Sequence, residues 1–129
     1  MNTAINLASR LSSKERQSSV LEKRIGKYLE RRSGVSLVEL ARDIPGFAGD
    51  ATWGREDQNI ILWADMSPAA IAAMQTLINK GRIVPTATTW LVYSFDGGVL
   101  DIPIATSIRR RHKVPHWLPV VFAGNREAA

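Results

Sequence analysis

Apolar residues recur at helical spacing in three stretches of this chain, separated by shorter runs that alternate or are continuously apolar. In the first stretch Leu21, Ile25, Tyr28 and Leu29 share one face, and Ser33-Gly34 closes the pattern. Ser12-x-x-Glu15 and Ser19-x-x-Glu22 both have capping-box form, so the helix is predicted to begin between Ser12 and Ser19. Its other faces carry Lys23, Arg24, Lys27, Arg31 and Arg32, and the last two suit the negative end of the helix dipole. A second, short helix starts at Ser36, with Glu39 completing another capping box. Leu37, Leu40, Ala41 and Ile44 form its inward face, and Pro45-Gly46 stops it. The third has Ser67 as N-cap, Pro68 in the first turn and Gly81 as a left-handed stop. Between these signals Ala70, Ile71, Met74, Leu77 and Ile78 fall on one side, which predicts a helix over 68–80.

The remaining runs read as strands and loops. Segment 45–58 holds three glycines and mixed charge, which predicts a surface loop pinned by Phe47 and Trp53. Ile60, Ile61, Leu62 and Trp63 form a run whose length favours a buried strand over 59–64, although periodicity alone also admits a helix. Residues 82–84 read as a strand leading to Pro85. Residues 90–95 and 99–102 flank Asp96-Gly97-Gly98, which predicts a β-hairpin with Tyr93 and Phe95 alternating against Val92 and Ser94. The run 117–122 is too apolar for a free tail and should dock on the core or on a partner subunit.

At 129 residues the chain suits one domain, expected over 12–122, with a flexible segment 1–11 before it and a tail 123–129 after it. No apolar run approaches the roughly 18 residues of a membrane span, and the N-terminus lacks the apolar centre of a secretory signal. The absence of cysteine excludes disulfides and thiolate zinc sites and suits a reducing compartment, so a cytoplasmic location is expected. The net charge of +5 is unevenly spread. Residues 1–34 carry eight Lys/Arg against three Glu, residues 35–104 four against eight, and residues 105–129 five against one. The basic flanks favour a polyanionic partner, although a basic surface also serves solubility, and the acidic middle favours a protein partner instead.

No pattern points to catalysis. There is no cysteine nucleophile, nucleophile elbow, phosphate loop or paired-carboxylate motif, and Glu56, Asp57 and Asp65 read as solvated loop acids. Neither an enzyme nor a cofactor is predicted. His112 and His116 stand at i and i+4, but Pro115 interrupts a helix there and no carboxylate lies nearby, so no metal site is predicted. The strongest electrostatic signal is Arg109, Arg110, Arg111 and Lys113, four cations within five residues that could neutralise phosphates. Such a run also fits a solvated stretch or a contact with an acidic protein. Trp117 beside it could stack on bases, but flanking apolar residues favour a packing anchor.

The order of helix, short helix, longer helix and hairpin over 19–103 resembles a winged helix-turn-helix domain. The residues that carry the resemblance are Ser36-Leu37-Val38-Glu39-Leu40-Ala41, the helix end at Leu77-Ile78-Asn79-Lys80-Gly81-Arg82-Ile83, and the hairpin after it. The resemblance implies an α+β fold, a single winged-helix-like domain with three main helices and a small antiparallel sheet or hairpin. It implies double-stranded DNA as partner, with helix 68–80 in the major groove and the wing on backbone. Gln75, Thr76 and Asn79 would then reach bases, Lys80 and Arg82 would hold the backbone, and Arg109, Arg110, Arg111 and Lys113 would add phosphate contacts. Small residues at Ala69, Ala72 and Ala73 would allow close approach to the groove. Two features depart from the pattern: more than 20 residues separate Ile44 from Ser67, and the expected wing tip is acidic. The chain is expected to act as a homodimer through 117–122 in a regulatory or accessory role. The rival expectation is a protein–protein adaptor on the same scaffold, anchored by its four tryptophans.

Overall fold

The computed structural model describes the backbone of residues 2–125 and the side chains from Glu15 to Asn125. Four helices and two three-stranded sheets make up the described chain, an α+β arrangement. In order these are α1 (Asn2–Leu29), β1 (Val35–Ser36), α2 (Leu37–Asp43), β2 (Ala48–Arg55), β3 (Ile60–Met66), α3 (Pro68–Asn79), β4 (Ile83–Ala87), α4 (Trp90–Asp96), β5 (His116–Trp117) and β6 (Val120–Gly124). The first sheet has the order β1-β6-β4, antiparallel throughout. The second has the order β2-β3-β5, with β2 and β3 antiparallel and β5 parallel to β3. No helix among the described residues is long and apolar enough to cross a membrane.

Helix α1 begins well before the predicted start, and Ser12 and Ser19 lie inside it rather than capping it. No Gly or Pro occurs between Asn2 and Ile25, so nothing in the backbone interrupts propagation. Leu21, Ile25 and Leu29 enter the core as the periodicity requires. The predicted caps of α2 and α3 form: Ser36 Oγ accepts from Glu39 N at 3.1 Å and Ser67 Oγ from Ala70 N at 3.0 Å. Glu39 does not complete its box, because its carboxylate accepts from Tyr28 Oη at 2.5 Å instead. The strands expected at 59–64 and 82–84 are present as β3 and β4.

Two predicted segments take a different form. Much of the loop predicted at 45–58 is strand β2, an edge partner of β3 with register shifts between Ala48 and Gly54. Its outward residues are small or polar, and only Trp53 is buried, so no alternation betrays it. Gly54 is required for the pairing, since a Cβ there would fall on the carbonyl oxygen of Ile60. The hairpin predicted at 90–102 is also absent. Residues 90–96 form α4, stopped by Gly97 at φ 102°, and residues 99–102 pair with nothing as a strand. Tyr93 is fully buried while Phe95, expected beside it on the same face, is 90% exposed. That split fits a helix turn, not a pleat.

Tyr93 explains why α4 forms. Its hydroxyl accepts from Leu37 N at 3.1 Å and donates to Val120 O at 2.7 Å, so one atom ties α4 to the start of α2 and to β6. Its ring lies 5.0 Å from Trp63 and 5.1 Å from Trp117 between centroids. Burial, with the Asp96 charge adding to it, pushes Tyr93 above the ordinary tyrosine range, which keeps the donor proton in place. A second tie comes from Ser36, whose hydroxyl donates to Asp96 Oδ2 at 2.6 Å while capping α2. The apolar run after the basic cluster supplies β5 and β6, and Trp117, Leu118, Val120 and Phe122 are buried within the chain's own core. This run is therefore not available as the homodimer surface expected of it. Ala123 and Gly124, expected in the tail, close β6 by pairing with Val84 and Ile83, and residues 126–129 lie outside those described.

Tyr93→Phe keeps the ring contacts but leaves the Leu37 amide and the Val120 carbonyl unmatched inside the fold. The variant should unfold with about 1–3 kcal/mol less free energy than wild type. Urea titration would register this as a lower midpoint at unchanged slope. An unchanged midpoint would mean that the bridge adds nothing to stability.

Candidate nucleic-acid interface

The predicted contact residues fall into two groups. The first lies on α3, whose sequence contains no charged residue. Ala70, Ala73, Met74 and Leu77 are buried, leaving a solvent-facing stripe of Pro68, Ala72, Gln75 and Asn79. Ala73, expected to face outward, is in the core. Gln75 Nε2 donates to Asn79 Oδ1 at 3.1 Å, so the two amides occupy each other along the exposed stripe. Thr76 is half-buried. Lys80 forms an ion pair with Glu22 of α1 at 2.8 Å, and Arg82 is exposed at the entry to β4.

The second group is the loop between Ile104 and β5. It is tied down at both ends. At its start Ala105 N donates to Trp117 O at 2.8 Å and Trp117 N to Pro103 O at 2.8 Å. At its end His112 N donates to Gln58 O at 3.0 Å, Asn59 Nδ2 to His112 O at 2.9 Å, and His116 N to Asn59 O at 2.8 Å. Asn59 serves both histidines from a left-handed backbone, φ 54° and ψ 44°, which asparagine tolerates better than most residues. Arg109, Arg110, Arg111 and Lys113 are exposed on this loop, and among the described residues no carboxylate pairs with any of them.

The two groups attach to the fold at different points. The basic loop is fastened at the N-terminal end of β3, whereas α3 departs from its C-terminal end. The seven residues of β3 span roughly 20 Å. Lys80 and Arg82 stand at the start of β4, and the far end of that strand is the one held beside Pro119 by Thr88 N at 2.9 Å.

His112 and His116 stack with centroids 3.8 Å apart and planes at 16°. Lone pairs of imidazole nitrogens lie in the ring planes, so near-parallel stacked rings cannot aim at one ion. His116 Nδ1 lies 2.8 Å from Val114 O, which requires that nitrogen to carry the hydrogen. His112 Nε2 and Gln58 Oε1 are buried without a hydrogen-bond partner. Burial first, then the neighbouring His116 and Arg110, lowers His112 from the ordinary histidine value of 6.5. Nothing in the local sequence announces these anchors except Asn59. It stands at the entrance of an apolar strand, a position where Asn often turns the chain.

A further basic stripe lies on α1. Arg24 donates to Pro45 O at 3.3 Å, and Arg32 sits 3.9 Å over the Tyr28 ring. Lys23, Lys27 and Arg31 face solvent without a carboxylate partner among the described residues. The opposite polarity gathers around α2. The Tyr28 hydroxyl lies 2.5 Å from Glu39 and 2.6 Å from Asp43, and its hydrogen bond, with Arg42 beside it, holds Asp43 below the ordinary carboxylate value. No family model, curated protein or solved structure matches this chain.

The His112 environment sets a pH dependence. Its folded value is below the unfolded one, so stability from the neutral ring is complete above about pH 6.5 and is lost as pH falls below it. Chemical denaturation from pH 8 downward should therefore show a steeper decline for wild type than for His112→Asn below about pH 6.5. Parallel declines would show that this ring is not shifted by the fold.

Proposed function

We propose that the chain is a double-stranded DNA-binding protein with a regulatory or accessory role, built on a winged-helix-like scaffold and acting in the cytoplasm. The observation that carries the reading is the anchored loop with Arg109, Arg110, Arg111 and Lys113 free of carboxylate partners among the described residues. Four such cations held at a fixed place on the surface match a phosphate backbone, and releasing its counterions supplies the binding free energy.

Topology supports the scaffold. Helices α1, α2 and α3 precede an antiparallel strand pair, β4 with β6, and β1 between the first two helices completes that sheet. The strand pair after the third helix takes the place of the hairpin expected at 90–102. Two insertions distinguish it from a compact winged helix: hairpin β2/β3 lies between α2 and α3, and segment 88–119 lies between β4 and β6. The second insertion occupies the position of a wing and carries the basic loop, so it is the part that grips backbone. Gln75 and Asn79 read bases either as a hydrogen-bonded pair or after exchanging their mutual bond for base edges. Lys80 reaches phosphate on leaving Glu22.

A second reading, a protein–protein adaptor, is favoured by one observation: Trp90, Leu91, Phe95 and Val99 are all exposed around α4.

Titration with mixed-sequence duplex DNA at several salt concentrations tests the primary reading. Removing one phosphate-binding cation should lower the steepness of log K against log salt by about 0.9, so R109A/R110A/R111A should flatten it by roughly 3. Absence of binding at low salt, or an unchanged slope in the triple variant, would overturn it.

A further inference from the structure

The exposed apolar residues of α4 form an organised surface. Leu91 and Phe95 stand one helical turn apart, Trp90 flanks them, and Val99 follows just beyond the helix end. Phe95 buries almost nothing within the chain, and Trp90, Leu91 and Val99 are each about half exposed. A patch of this kind is costly to leave in water. Its charge is net acidic. Between Arg82 and Arg109 the only charged residues are Asp96 and Asp101, and α2 beside it adds Glu39 and Asp43 against one cation, Arg42, which pairs with Asp43 at 3.1 Å. The surface therefore suits an occupant that combines cations with an apolar anchor.

The chain carries such a surface on α1. Val20, Lys23 and Lys27 recur at i, i+3 and i+7 on one exposed stripe of α1, and Arg31 is exposed in the turn just past the helix end. The three cations lack carboxylate partners among the described residues, and Val20 is 45% exposed. We propose that two copies of the chain associate by docking the α4 patch of each on the α1 stripe of the other. The lysine stems cover the Trp90 and Phe95 rings while their ammonium groups face the rings and the acidic rim. Pairing α4 with α4 would instead bring Asp96 and Asp101 of both copies together, which like-charge repulsion opposes. A two-fold axis relating the copies forms the contact twice.

Sedimentation velocity of the full chain without DNA tests this. Wild type should show a concentration-dependent dimer that weakens as salt is raised. Leu91→Glu with Phe95→Glu should raise the dimer dissociation constant by roughly thirtyfold or more, and so should K23E/K27E/R31E. All these side chains are solvent-facing, and matching circular dichroism spectra would show that the fold is kept. Mixing the two variants is the decisive arm. Each retains the half that the other lacks, so one intact contact should return as a heterodimer. A monomeric wild type, an α1 variant that still dimerises, or a mixture that stays monomeric would each overturn the proposal. The second of these outcomes would point to α4 packing on α4.

Discussion

The Tyr93 hydroxyl holds together parts of the molecule that are far apart in the chain. It receives the Leu37 amide at the start of α2 and gives its proton to Val120 on β6, with its ring between two tryptophans. Both partners are buried backbone groups that water cannot reach, so their pairing is an obligation of the fold. The position of α4 follows from it, and with α4 comes the course of the whole segment between β4 and β6. The basic loop inherits its place from the same core, because Trp117, which holds the loop's first residues, packs edge-on against Tyr93.

What can be read from the sequence is whatever is specified locally. Ser36 and Ser67 cap the helices they precede, Gly81 takes the positive φ just past the end of α3, and the apolar stripes of α1, α2 and α3 point inward. Helix α1 itself stops at Leu29, ahead of the expected Ser33-Gly34. Strand β2 is hidden because its identity comes from its neighbour: glycines admit the backbone of β3, and a single tryptophan marks the inner face. Segment 90–96 misleads for the converse reason. It is rich in aromatic and β-branched residues that favour strands, and the helix is imposed by Tyr93's distant partners and by Gly97. Tertiary context overrides a weak local preference.

The candidate interface divides the same way. The cations of the basic loop are visible in the sequence, and so is the uncharged outer stripe of α3. Their attachment to opposite ends of β3 is a property of topology, and the tethers at Gln58 and Asn59 join residues more than fifty positions away. A surface assembled from the sequence alone therefore misses what anchors the basic loop. It also overlooks the apolar side of α4, because the pleat of a strand that does not form would turn those residues alternately inward and outward.

The order β1-β6-β4 has a consequence for how the molecule is made. Its middle strand is the last of the three to be synthesised, and β1 waits for a partner in which Val35 faces Phe122. While a ribosome is still copying the intervening segment, β1 and β4 have no ladder between them, and the tryptophans meant for the core have no lid. Helices α1 and α3 can associate before β6 is made, but closure of the sheet is deferred until residue 124 has emerged. Closure of the sheet thus waits for the synthesis of β6, and a nascent chain stalled before it would present an unfinished sheet to chaperones.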